Sequence, residues 1–179
     1  MMSYDLALFR VPDGGDALLS YRKLRENDEA NAADLDGWKN RPIPAPVRAE
    51  MRRIADALKS WRPELEEFVP NGTMPWIELN DPDLSIQFAV QSDHVDVTMP
   101  YFGREAPEMM ECVTGSFSLL NRVAGLIAYD PQLDRIVTAA DLNDMIGHYQ
   151  AVDDALPGML EQLNQQSPAE LAKPWWKFW

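Results

Sequence analysis

The chain is 179 residues long, carries a formal net charge of −13, and is 46% apolar and 25% charged, which fits one globular domain with a real core and excludes a disordered or fibrous chain. Its single cysteine, Cys112, excludes an internal disulfide, and no run approaches the roughly 18 uncharged apolar residues of a membrane-spanning helix. Residues 1–62 hold eleven Lys/Arg against ten Asp/Glu, whereas residues 63–172 hold only Arg104, Arg122 and Arg135 against nineteen acids, a field that repels phosphate backbones and argues against direct nucleic-acid binding.

Tyr4 to Arg10 reads as a strand, followed by a turn at Pro12-Asp13-Gly14-Gly15 and a short helix from Ala17 to about Arg25, with Asp16 as its N-cap. Residues 26–45, polar and then proline-rich, read as a long surface connection, either functional or hiding a short helix. Val47, Met51, Ile54, Leu58 and Trp61 recur at helical spacing after Pro46, and Arg48, Arg52, Arg53 and Lys59 fill the other faces of this one basic helix. Pro63 ends it.

Trp76 to Leu79, Leu84 to Val90 and Val95 to Met99 form a predicted meander, with turns at Asn80-Asp81-Pro82-Asp83 and Gln91-Ser92-Asp93-His94. A helix from Ala106 to Val123 follows, with Gly125 at its C-cap, then a strand at Leu126 to Tyr129 and a short one at Arg135 to Val137. Thr138 and Asp141 have capping-box spacing and open a last helix, interrupted at Pro157-Gly158 and running to about Gln165. This order predicts an α+β two-layer sandwich: a mainly antiparallel sheet of about four or five strands with helices on one face. Residues 1–166 form the expected domain and 167–179 a tail.

The start of the chain lacks a basic segment followed by an apolar run, so a cytoplasmic location is expected. The sequence holds no nucleophile elbow, phosphate loop or dinucleotide fingerprint, so no catalytic residue is assigned. His94-Val95-Asp96 and Asp81-Pro82-Asp83 lack the further ligands a metal site needs, and neither metal nor cofactor is expected. His148 lies four residues after Asp144, the spacing of an exposed pair on a helix. Cys112, between Met109 and Val113, reads as a buried small hydrophobe.

The tail packs Trp175, Trp176, Phe178 and Trp179 with Lys173 and Lys177. It suits a partner's groove, weak and reversible membrane contact, or an apolar patch of its own domain.

Met2-Ser3-Tyr4-Asp5-Leu6, Val97-Thr98-Met99-Pro100-Tyr101 and Ala128-Tyr129-Asp130-Pro131-Gln132-Leu133-Asp134-Arg135-Ile136-Val137 resemble segments of a family of small bacterial proteins of unassigned biochemistry. That family begins with a strand and ends its sheet at a Tyr-Asp-Pro-Gln turn. Some of its members accompany secreted polymorphic toxins as immunity proteins. The resemblance brings no catalytic residues and does not reach the tail.

Charge and resemblance together lead to an expectation of a non-enzymatic acidic binding protein, an immunity protein that occludes a basic toxin domain. Its expected rim is Glu78, Asp81, Asp83, Asp93, Asp96, Asp130 and Asp134, with the tail aromatics as anchors. Two readings remain beside it. One is a small-molecule binder or enzyme using His94, Tyr101 and Tyr129 in a pocket on the sheet face. The other, plainer, is a structural subunit whose tail mediates assembly and whose acidity serves solubility alone.

Overall fold

The computed structural model describes residues 3–39, 42–68, 75–101 and 106–165; the tail residues Lys173 to Trp179 lie outside these. The fold is α+β. Seven antiparallel strands form one sheet in the order β2-β3-β4-β5-β1-β6-β7, more than the expected four or five. The strands are β1 (Ser3–Phe9), β2 (Glu66–Phe68), β3 (Ile77–Asn80), β4 (Gln87–Val90), β5 (His94–Pro100), β6 (Ile127–Asp130) and β7 (Arg135–Val137). The first strand sits in the interior, between β5 and β6. The unanticipated strand is β2, three residues with two glutamates and no apolar alternation to mark it.

Side chains alternate across the sheet as strand geometry requires. Tyr4, Leu6 and Leu8 of β1 join Leu79, Phe88, Val90, Val95, Val97 and Met99 in the main core. Three helices close that side: α3 (Ala45–Trp61), α4 (Ala106–Ala124) and α5 (Leu142–Gln165). The predicted apolar face of α3 is the buried one, through Met51, Ile54, Ala55 and Leu58. Gly115 of α4 lies where α3 passes. A Cβ there would stand 3.1 Å from the Trp61 ring, so a side chain would press the two helices apart. Gly125, at φ +66°, ends α4 as its C-cap, with its N–H bonded to Asn121 O at 2.7 Å.

Helices on one face only is corrected by α1 (Ala17–Ala33), which lies on the other. Its Leu24, Leu18 and Tyr21 form a second small core with Ala7, Phe9, Tyr129 and Ile136. Tyr21 stacks on Tyr129 at 4.1 Å between ring centroids. Asp16 caps α1 as expected, accepting from Leu19 N at 2.8 Å. The helix runs eight residues past its expected end near Arg25, and α2 (Leu35–Lys39) follows at once, so most of the expected long connection is helical. The last helix also differs. The Thr138–Asp141 capping box forms over one 3-10 turn, and α5 then continues unbroken through Pro157.

Two turns share one construction. Asp81-Pro82-Asp83-Leu84-Ser85 and Asp130-Pro131-Gln132-Leu133-Asp134 both bend through a left-handed fifth residue, Ser85 at φ 56° and Asp134 at φ 51°. In each, one carboxylate oxygen of the leading aspartate accepts the N–H groups two and three residues on. The distances are 3.0 and 2.9 Å for Asp81, 2.8 and 3.1 Å for Asp130. The second oxygen takes a side-chain donor, Arg62 for Asp81 and the Tyr4 hydroxyl for Asp130. Leu84 and Leu133 then pack on the main core.

Candidate binding surface

Pairing register places the outward side chains in rows. Asp5, Thr98, Gln87, Asn80 and Glu66 stand side by side across β1, β5, β4, β3 and β2. The next row is Ala7, Asp96, Ala89, Glu78 and Phe68. Except for Ala7, buried under α1, these residues are exposed or half-exposed, and Phe68 retains 52% of its surface. The rows carry four carboxylates, and strands β1 to β5 contain no Lys or Arg. Polar contacts hold the carboxylates in place. Asn80 Nδ2 donates to Glu78 at 3.0 Å, Gln91 Nε2 to Asp96 at 2.8 Å, and Ser3 Oγ to Asp5 at 3.0 Å.

Beyond the hairpin end of this face lies a half-open cleft of about 580 Å³ between the C-terminal half of α1, α2, the start of α3 and the β4–β5 turn. His94 lies at its inner side and is 3% exposed. Its Nδ1 is 2.8 Å from Asp93, and its Nε2 is 3.1 Å from Asp96 and 3.8 Å from Asp28. Burial works against the charged imidazole, yet the bonds to Asp93 and Asp96 and the charge of Asp28 outweigh it and push the pKa up to about 10. His94 is therefore an imidazolium at neutral pH with both N–H groups committed, and has no lone pair with which to take a proton. Asp28 is raised by burial, against the lowering influence of His94 and Arg25. Trp38 forms part of the wall, and Trp76 stacks on it at 5.1 Å and 21°.

The expected rim separates into groups. Glu78 and Asp96 belong to the open face. Asp93 flanks the cleft, with 56% of its side chain exposed. Asp83 and Asp134 are exposed at the opposite end of the sheet, and Asp134 accepts the Tyr129 hydroxyl. Asp81 and Asp130 are 1% and 0% exposed. Both turn inward to build the two Asp-Pro turns and offer no carboxylate to a partner. Burial raises Asp81, but Arg62 and the turn amides outweigh it and leave its carboxyl below the usual range. Trp175, Trp176, Phe178 and Trp179 lie outside the described residues.

His94, Tyr101 and Tyr129 do not share a pocket. Tyr101 is in the main core, stacked on Tyr149 at 5.0 Å, and Tyr129 is under α1. His148 does not pair with Asp144 as its spacing suggested. Its ring meets Tyr4 edge-on at 6.2 Å, and Asp144 binds Arg135 at 2.6 Å. Cys112 is buried as read, and its thiol is pushed up to about 11 by burial. Among the described residues no group of three His, Cys, Asp or Glu side chains is placed to hold a metal ion, and no helix is long and apolar enough to cross a membrane.

Sequence reasoning missed Asp5, Asp28, Asp34, Glu66, Trp38, Trp76 and Phe68. Asp5 was legible from the alternation of β1, because its neighbours Tyr4 and Leu6 are apolar. The others depend on the folding of residues 26–39 as helices and on β2. No family model, curated protein or solved structure matches the chain.

Proposed function

We propose that the protein is a non-enzymatic binding module, an immunity protein that occludes a basic bacterial toxin with the open face of its sheet. The observation that carries this reading is the face itself: Asp5, Glu66, Glu78 and Asp96 on a five-strand platform without Lys or Arg, whose imidazolium, His94, is taken up by Asp93 and Asp96. An excess of like charge on one plane raises the encounter rate with an oppositely charged surface. Phe68 and the Trp38–Trp76 stack supply the apolar contact that sets a complex's lifetime.

The basic helix does not cancel this field. α3 packs on the other side of the sheet, where Arg52 binds Glu67 and Arg53 binds Glu50, and Arg62 just beyond it binds Asp81. Acidic residues also line α5, including Asp144, Asp154 and Glu161, with no Lys or Arg in that helix. Between Leu142 and Gly158 that helix exposes no large apolar side chain, whereas the sheet face exposes Phe68. The state of His94 also favours binding over acid–base chemistry. The resemblance to toxin-associated bacterial proteins points the same way.

Stopped-flow association with a basic partner co-purified with the native protein at low salt tests the proposal. The association rate should fall about tenfold between low and physiological ionic strength. A rate indifferent to salt, or no complex at low salt, contradicts it.

A further inference from the structure

The cleft beside the open face has a composition of its own. Asp28 and Asp34 of the α1 end face Asp93 of the β4–β5 turn, and Ile43 and Val47 add an apolar wall. Trp38 stands among them, backed by Trp76. Among the described residues the lining includes no Lys or Arg, and its imidazolium, His94, has both ring nitrogens taken up by Asp93 and Asp96. Arg25 pairs with Asp28 at 3.2 Å from outside the lining. The described lining therefore carries a net negative charge beside an aromatic ring and an aliphatic wall.

Those three elements match one side chain. A guanidinium is planar and permanently charged. It binds carboxylates through two parallel N–H groups, stacks on indole, and brings an aliphatic stem for an apolar wall. An ammonium lacks the planar fork and a neutral group lacks the charge. The cleft is also joined to the acidic face: Trp76 Nε1 reaches Glu78 at 3.4 Å, and Gln91, in the lining, donates to Asp96 at 2.8 Å.

We propose that this cleft is an arginine pocket, which receives one guanidinium from the basic partner docked on the adjoining sheet face and fixes its register there. The inference rests on the docking reading above. It adds a specificity site, since an arginine seated between Asp28, Asp34 and Trp38 admits one alignment of the partner where surface charge alone tolerates many.

The test uses the protein alone, with indole-labelled tryptophans followed by NMR and acetyl-Gly-Arg-Gly-amide as the probe. Its citrulline counterpart is the control, because citrulline keeps the shape and loses the charge. The arginine peptide should shift the Trp38 and Trp76 signals saturably and bind at least about fivefold more tightly than the citrulline peptide. Asp28→Asn/Asp34→Asn should remove that preference, and Trp38→Leu should weaken arginine binding if the double variant does not fold. Equal affinity for both peptides, or shifts that never saturate, overturns the pocket. Failure here with an intact salt-dependent complex removes the pocket and spares the docking face. Saturable arginine binding without any such complex keeps the pocket and removes the docking reading.

Discussion

His94 sets its Nε2 3.1 Å from the carboxylate of Asp96, two residues along the same face of β5, while its Nδ1 grips Asp93 at 2.8 Å. The imidazolium thus ties the β4–β5 turn to the sheet, and Asp28 at 3.8 Å adds α1. Without that charge, carboxylates would crowd one another at the base of the cleft.

The pH dependence of stability follows. The folded chain holds the His94 pKa near 10, above its ordinary value of 6.5, so the stabilisation is complete below about 6.5 and is lost as pH climbs toward 10. Thermal melts should drop steadily from pH 7 to pH 10, by an amount on the order of a few kcal/mol. His94→Gln should be less stable at pH 7 and flatten the profile. A wild-type melting temperature unchanged across that range would contradict the ion cluster.

Tyr4 and Asp130 are a second buried pair. Burial raises the pKa of each, and the phenol donates to the inner oxygen of the Asp130 turn. Tyr4→Phe removes that donor and should cost about 1–3 kcal/mol in urea denaturation. Asp130→Ala also strips two turn amides of their acceptor and should cost more. Neither change should alter the association rate with a partner, because neither group is at the surface. An Asp130→Ala protein of full stability but slowed association would return Asp130 to the docking rim.

Cys112 should resist thiol reagents in the folded protein and react at the rate of a free thiol once unfolded. Its pKa near 11 and its burial in α4 both suppress the thiolate. Prompt labelling at pH 8 without denaturant would refute this.

What the sequence made legible was local. The α3 and α4 faces, the meander, the Gly125 cap and the Thr138 capping box follow from residue spacing and from groups that bond to near neighbours. The charge asymmetry was legible too. Its placement was not, since Asp81 and Asp130 look like any turn aspartates until Arg62 and Tyr4 arrive from distant positions to bury them. The run of polar residues after Arg25 hides the rest of α1, which buries little besides Leu24 and so shows no apolar stripe. β2 is fixed by pairing with β3, and its own three residues do not signal a strand. The cleft needs both α1 and the hairpin turn, so no stretch of sequence could reveal it.

Which acidic surface meets the partner is decided by the association rate of Glu66→Lys/Glu78→Lys, on the open face, against that of Asp154→Lys/Glu161→Lys, on α5, at one low ionic strength. Both variants change the net charge equally. The account predicts that the sheet-face variant associates about tenfold more slowly and the helix variant within about twofold of wild type. Equal slowing would reduce the effect to overall charge, and slowing confined to the α5 variant would place the docking surface on the other side of the molecule.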